Sequence, residues 1–120
     1  MPGSRKGSNP MNEGKISKRD REIAEDLKRR LADMVPLIDL RVFGSRARGD
    51  ADEYSDLDVF IEVSRIDPEI KDKIEDIVWE VGFNNLIVIS PLIFSKEEID
   101  NSAVRSSPIL RNITEEGVRV

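Results

Sequence analysis

The feature that most constrains this chain is a pair of short apolar runs, Leu37–Phe43 and Leu57–Val63, separated by a stretch rich in Gly, Ser, Arg and Asp. Both runs hold branched residues and are too short for a stable helix, so both predict strands, the first stopping at Gly44. Helical periodicity surrounds them. Ser17 predicts an N-cap with acidic Asp20 three residues on, and Ile23, Leu27, Leu31 and Met34 recur on one helical face, with Ala24 beside them, before Pro36 ends the helix. Asp67 and Pro68 open a second helix through Ile70, Ile74, Ile77, Val78 and Val81, with Gly82 to close it and Asn84 and Asn85 as the turn. Residues 86–94 are almost entirely apolar and predict a strand buried on both faces, with Pro91 placed where no ladder hydrogen bond is donated. Ser95 and Glu98 match a capping box opening a short helical segment around Ile99. Pro108, Ile109, Leu110 and Ile113 predict a last helix capped by Gly117, and residues 118–120 return to the sheet edge. This order of elements predicts an α/β chain of the α+β kind, a small sheet with helices packed on it.

One domain accounts for the whole length. The chain has 120 residues, 38% hydrophobic and 36% charged, which is the balance of a soluble globular domain with a modest aliphatic core. Residues 1–16 hold Pro, Gly, Ser and Asn with almost nothing apolar and are expected to be a disordered lead, leaving residues 17–120 as the domain. No apolar run is long enough to span a membrane and the N-terminus lacks the apolar stretch of a signal peptide, so a cytoplasmic location is expected.

Absent residue types narrow the chemistry. With no Cys and no His there is no disulfide, thiolate nucleophile, histidine base or ordinary zinc site. An enzyme built from this chain would work with carboxylates, hydroxyls, Lys, Arg, backbone amides and a hard cation such as magnesium. The net charge of −5 is divided unevenly, about +4 over residues 1–50 and −9 over residues 51–120. The acidic second part makes nucleic acid an unfavourable partner.

Residues 42–63, VFGSRARGDADEYSDLDVFIEV, are where the chain becomes specific. Gly44 and Ser45 follow directly on a strand end, where a glycine lets backbone approach a bound group and the hydroxyl adds a donor. If Arg46, Ala47 and Arg48 start a helical turn, its free N–H groups point to the same place, which suits phosphate. Arg46 and Arg48 could add charge-assisted donors, although residues two apart point in different directions and at most one is expected to face the site. Asp56 and Asp58 alternate along a strand and so project together, while Leu57 and Val59 point into the core. Two adjacent carboxylates repel unless a cation sits between them or one keeps its proton. Either half alone has a bland reading, as a connector or as the wet face of a sheet. Together they describe a metal–phosphate site.

Gly44-Ser45-Arg46-Ala47-Arg48-Gly49, followed after five residues by Ser55-Asp56-Leu57-Asp58-Val59, resembles the signature of the minimal nucleotidyltransferases of the DNA polymerase β-like superfamily. The resemblance implies a mixed sheet flanked by helices, with Gly44 and Ser45, assisted by Arg46, Arg48 and Ser55, at the nucleotide. It implies Asp56 and Asp58 as catalytic magnesium ligands, and transfer of a nucleoside monophosphate from a nucleoside triphosphate such as ATP to a hydroxyl. Family members of this size often act with a helical HEPN partner, in some cases as toxin–antitoxin pairs in which the transferase adds AMP to that partner. A second copy of the chain is a further candidate partner.

One departure from the family pattern stands out. Full catalysts of the superfamily carry a third carboxylate on a later strand beside the aspartate pair, and residues 86–93 contain no acid. Glu62 shares a strand face with Asp58 but lies about 13 Å along it, too far to share an ion. Two expectations follow: an active transferase completed by water, substrate oxygens or a partner chain, or a degenerate subunit that binds nucleotide or partner without turnover.

Overall fold

The computed structural model describes residues 15–120. Helix α1 (Lys18–Met34) leads into β1 (Leu37–Phe43), a one-turn helix α2 (Gly44–Arg48) and β2 (Leu57–Val63). Helix α3 (Pro68–Asn85), β3 (Ile89–Ser95), the short helices α4 (Lys96–Asp100), α5 (Ser102–Arg105) and α6 (Pro108–Glu116), and the two-residue β4 (Val118–Arg119) complete the chain. The strands form one mixed sheet in the order β3-β2-β1-β4. Strand β1 runs antiparallel to both β2 and β4, and β2 runs parallel to β3. A parallel pair needs a long crossover, and α3 is that connection.

Capping sets the helix starts as the sequence predicts. The Ser17 side chain accepts the Asp20 N–H, the Asp67 side chain accepts from Ile70 N–H with Pro68 in the first turn, and Ser95 and Glu98 form a complete capping box. Alternation then divides the sheet into two faces. Leu40, Val42, Leu57, Val59, Ile61 and Val63 pack against Ile23, Leu27 and Leu31 of α1 and Ile70, Ile74 and Val78 of α3 in the main core. Each such fully buried aliphatic side chain contributes about 1.5–3 kcal/mol relative to exposure. The opposite face carries Asp58, Phe60 and Glu62 of β2, and there Phe60 packs with Leu110 and Ile113 of α6 in a second, smaller cluster.

Four details depart from the sequence reading. Ile16, expected in the disordered lead, is buried in the main core, while residues 1–14 of that lead lie outside the described residues. Met34, expected on the buried face of α1, is the helix's last residue and is 53% exposed. Helix α3 does not stop at Gly82 but continues through Asn84 and Asn85 to a C-cap at Leu86, whose φ of 55° is left-handed. Gly82 instead admits the returning chain: a Cβ there would come 2.7 Å from the Ile87 carbonyl oxygen. Strand β3 begins only at Ile89 and lies at the sheet edge, so Leu86 and Val88 are exposed rather than buried on both faces. That edge position also accommodates Pro91, since one side of β3 has no ladder partner.

Candidate active site

The antiparallel register of β1 and β2 places Phe43 opposite Asp58, so the turn that leaves β1 lies directly against the second aspartate. Gly44 follows at φ 78°, in the left-handed region that glycine adopts without strain. A side chain at Gly44 would collide with the Asp58 carboxylate, its Cβ lying 3.2 Å from Asp58 Cγ and closer still to Oδ2. The glycine is therefore required twice, by its dihedral and by the carboxylate packed over it. Gly44→Ala is expected to cost about 1–3 kcal/mol in denaturant unfolding, and to displace Asp58 enough to weaken divalent-cation binding.

Helix α2 begins here with Phe43 as its N-cap, a residue with no side-chain acceptor, and no side chain caps the first turn. Its leading N–H groups are thus available to an anion. Its C-cap is Gly49 at φ 82°, where a Cβ would meet the Lys15 carbonyl oxygen at 2.9 Å. Ser45 is half-buried at the start of α2, and its carbonyl accepts the N–H groups of Gly49 and Asp50, which fold the next loop back over the helix.

Asp56 is exposed at the entrance to β2 and Asp58 is half-buried one step in, with Leu57 and Val59 fully buried on the other face. Burial pushes the Asp58 carboxyl above the usual carboxylate range, repulsion from Asp56 adds to the rise, and Arg48 opposes it. A carboxylate whose folded pKa lies above its unfolded value costs stability when ionised. Asp58 therefore favours the folded state more as pH falls through its raised pKa, and the cost is fully present above it. Cation binding needs the ionised form, so affinity has the opposite slope. Titration calorimetry with Mn²⁺ is expected to show affinity lost on acidification, and Asp58→Asn is expected to weaken binding at every pH.

The donor set fits a hard divalent cation. Two carboxylates on one strand face offer oxygen ligands, and a cation between them would relieve the repulsion that raises Asp58. Among the described residues there is no group of three or more acidic side chains placed to hold a metal. Ser90 occupies the β3 position opposite Asp58, where an acid would have to stand to join the pair from that strand.

Two residues expected at the nucleotide are engaged elsewhere. Arg46 is buried and turned beneath the loop: its Nη1 donates to both carboxylate oxygens of Asp20 at 3.0 and 3.1 Å, and its Nε to the Ser55 carbonyl at 2.8 Å. Its Nη2 reaches the carbonyls of Glu53 and Asp52 at 3.3 and 3.5 Å. All three guanidinium nitrogens are engaged within the protein, so Arg46 ties α1 to the loop that delivers Asp56. Ser55 closes the same loop, its Oγ accepting the Asp52 N–H at 3.2 Å and lying 3.3 Å from Asp52 Oδ1. Arg48 stays at the surface, paired with Asp50 at 3.2 Å and Glu116 at 3.7 Å, and is near enough to influence Asp58.

Sequence reasoning missed Asp20, read there only as a first-turn acid. Its signal was present, because residues 20, 24, 27 and 31 share one helical face, and an aspartate on an apolar face needs a buried partner.

Residues 21–120 match the family model described as a nucleotidyltransferase domain. The chain is also 37% identical over 93 residues to a protein of Methanocaldococcus jannaschii that carries the name "Putative protein adenylyltransferase MJ0141". The match covers 70% of this chain and 91% of that protein.

Proposed function

Because the chain belongs to the nucleotidyltransferase domain family, we propose that it transfers a nucleoside monophosphate, with ATP as donor, to a hydroxyl on another protein. The observation that carries this reading is the packing of the Asp58 carboxylate over Gly44, which joins the phosphate turn and the carboxylate pair into one site. The acceptor class is taken from the relative, whose name describes transfer of AMP to protein.

In this reading the Gly44 backbone, the leading N–H groups of α2 and the Ser45 hydroxyl grip the triphosphate oxygens. Asp56 and Asp58 would hold magnesium, which when bound supplies charge neutralisation at the phosphates. Arg46 and Ser55 act behind them by fixing the loop that sets Asp56 beside Asp58. The acceptor oxygen bonds to the α-phosphorus, the bond to the bridging oxygen breaks, pyrophosphate leaves with the electron pair, and the hydroxyl proton passes to solvent. A helical partner of the HEPN type, as in a toxin–antitoxin pair, would present that hydroxyl, since a domain of this size has little surface of its own around the acceptor.

A second reading is favoured by one observation, the Ser90 that stands opposite Asp58 in place of an acid. It makes the chain a subunit that binds nucleotide or partner without turnover. An assay with α-labelled nucleoside triphosphates and Mg²⁺, run with and without the product of the adjacent gene, tests both. Label on the partner supports transfer, and nucleotide binding without product under every condition supports the second reading.

A further inference from the structure

A separate cavity of about 330 Å³ opens on the Asp58 face of the sheet, between β1 and β2 below and the helices α4, α5 and α6 above. Phe60 on its sheet side and Leu110 and Ile113 on its helix side give it apolar walls, and Gly44, Ser45, Asp56 and Asp58 are not among its lining residues. Three acids line it, Asp39, Glu62 and Glu115, and Glu62 lies about 13 Å along the strand from Asp58. The cavity is therefore not part of the nucleotide site.

Charge is left over on both of its walls. On the sheet side, Asp39 is paired with Arg41 at 2.9 Å and Arg119 at 3.4 Å, and on α4 Lys96 is paired with Asp100 at 3.0 Å. Glu62 lies among these groups, feels all but Arg119 of them, and is half-buried, yet it has no hydrogen bond or ion pair among the described residues. Every cation near it is committed to another acid. On the helix side, the side chains of Arg105 and Arg111 also lack an ion pair or hydrogen bond among the described residues, and both line the cavity. Among the described residues the cavity thus has one carboxylate, Glu62, and two guanidinium groups, Arg105 and Arg111, without a hydrogen-bonded or ion-paired partner, with Glu115 on the helix wall beside Arg111 and an apolar surface between the two sides.

We propose that this cavity binds a small zwitterion with an apolar body, of the size of an amino acid or dipeptide, its ammonium group on Glu62 and its carboxylate on Arg105 and Arg111. The volume lies at the low end of small-molecule sites, and such sites combine apolar walls with a few placed polar groups. An ammonium supplies the donor that Glu62 lacks, and a carboxylate accepts from a guanidinium in a charge-assisted bond. This assignment is independent of nucleotidyl transfer.

The test is a ¹⁵N–¹H correlation titration of the full chain with L-leucine, L-phenylalanine and the dipeptide Leu-Phe, alongside N-acetyl-L-leucine and L-leucinamide. Saturable shifts confined to residues around Phe60, Glu62, Ile99 and Arg111 are expected with at least one zwitterion. The N-acetyl and amide analogues, each lacking one charge, are expected to bind about tenfold more weakly or worse, and so are Glu62→Gln and Arg105→Ala/Arg111→Ala. The same spectra report whether each variant is folded, and the arginine change lies on the exposed surface. No saturable shift with any zwitterion up to about 10 mM would overturn the assignment, as would equal binding by N-acetyl-L-leucine or undiminished binding by folded Glu62→Gln.

Discussion

Asp58→Asn is expected to abolish detectable nucleotidyl transfer, a loss of about a hundredfold or more, while leaving the protein folded and at least as stable as the parent. The two halves of this result have one cause. Asp58 is half-buried, close to Asp56, and pushed above the usual carboxylate range by burial and by that neighbour, so its charge is held against an electrostatic cost. Removing the charge relieves the cost, and it also removes one of the two oxygen donors that can hold a divalent cation beside the phosphate turn. Stabilisation of charge at a transferring phosphoryl group is worth several kcal/mol, and each 1.4 kcal/mol is about a factor of ten in rate. Asp56→Asn is expected to lose activity comparably. Label transfer measured with the partner and Mg²⁺, beside thermal unfolding of the same samples, checks both parts. Retained transfer in Asp58→Asn would refute the site. Lost transfer with lost folding would refute the electrostatic account of Asp58.

Arg46→Met is expected to be the most destabilising single change in the site region, by about 3–5 kcal/mol, because removing one partner of a buried ion pair leaves the other charge uncompensated. Asp20 and Arg46 are both buried, 4% and 9% exposed, so neither can turn to water. The arginine also carries the carbonyls of Ser55 and Glu53, which its loss would orphan. Asp20→Asn keeps an oxygen acceptor for the guanidinium and is expected to cost less. For a domain of about this length, each kcal/mol corresponds to about 4–8 °C in Tm, so the arginine change is expected to lower Tm by about 10 °C or more. Calorimetry of the two single variants and the double variant gives the ordering. A drop of only a few degrees in Arg46→Met would mean that the guanidinium is hydrated and not built into the core.

Much of the fold was legible because it is local. Helices α1 and α3 start where Ser17 and Asp67 cap them, and β1 and β2 have the limits that Gly44 and the apolar alternation set, since a cap or an alternation involves residues only a few positions apart. The errors fall where the deciding contact is distant. Residues 86–94 are apolar enough for a central strand, but hydropathy does not state on which side of β2 a strand is added, and an edge position left Leu86 and Val88 exposed. Gly82 has the chemistry of a helix stop, but its function depends on where the Ile87 carbonyl returns.

The same division runs through the site. The sequence by itself determined the available tools: no thiol or imidazole, a Gly-Ser turn after a strand, and two aspartates on one strand face, all read from residue type and short-range periodicity. Only the tertiary structure decided how they are used. The β1–β2 register set Asp58 over Gly44, the approach of α1 committed Arg46 to Asp20, and the parallel pairing with β3 put Ser90 opposite Asp58. Each of these depends on chain segments brought together by burial of the aliphatic core, and the spacing of neighbours along the sequence carries no information about that closure.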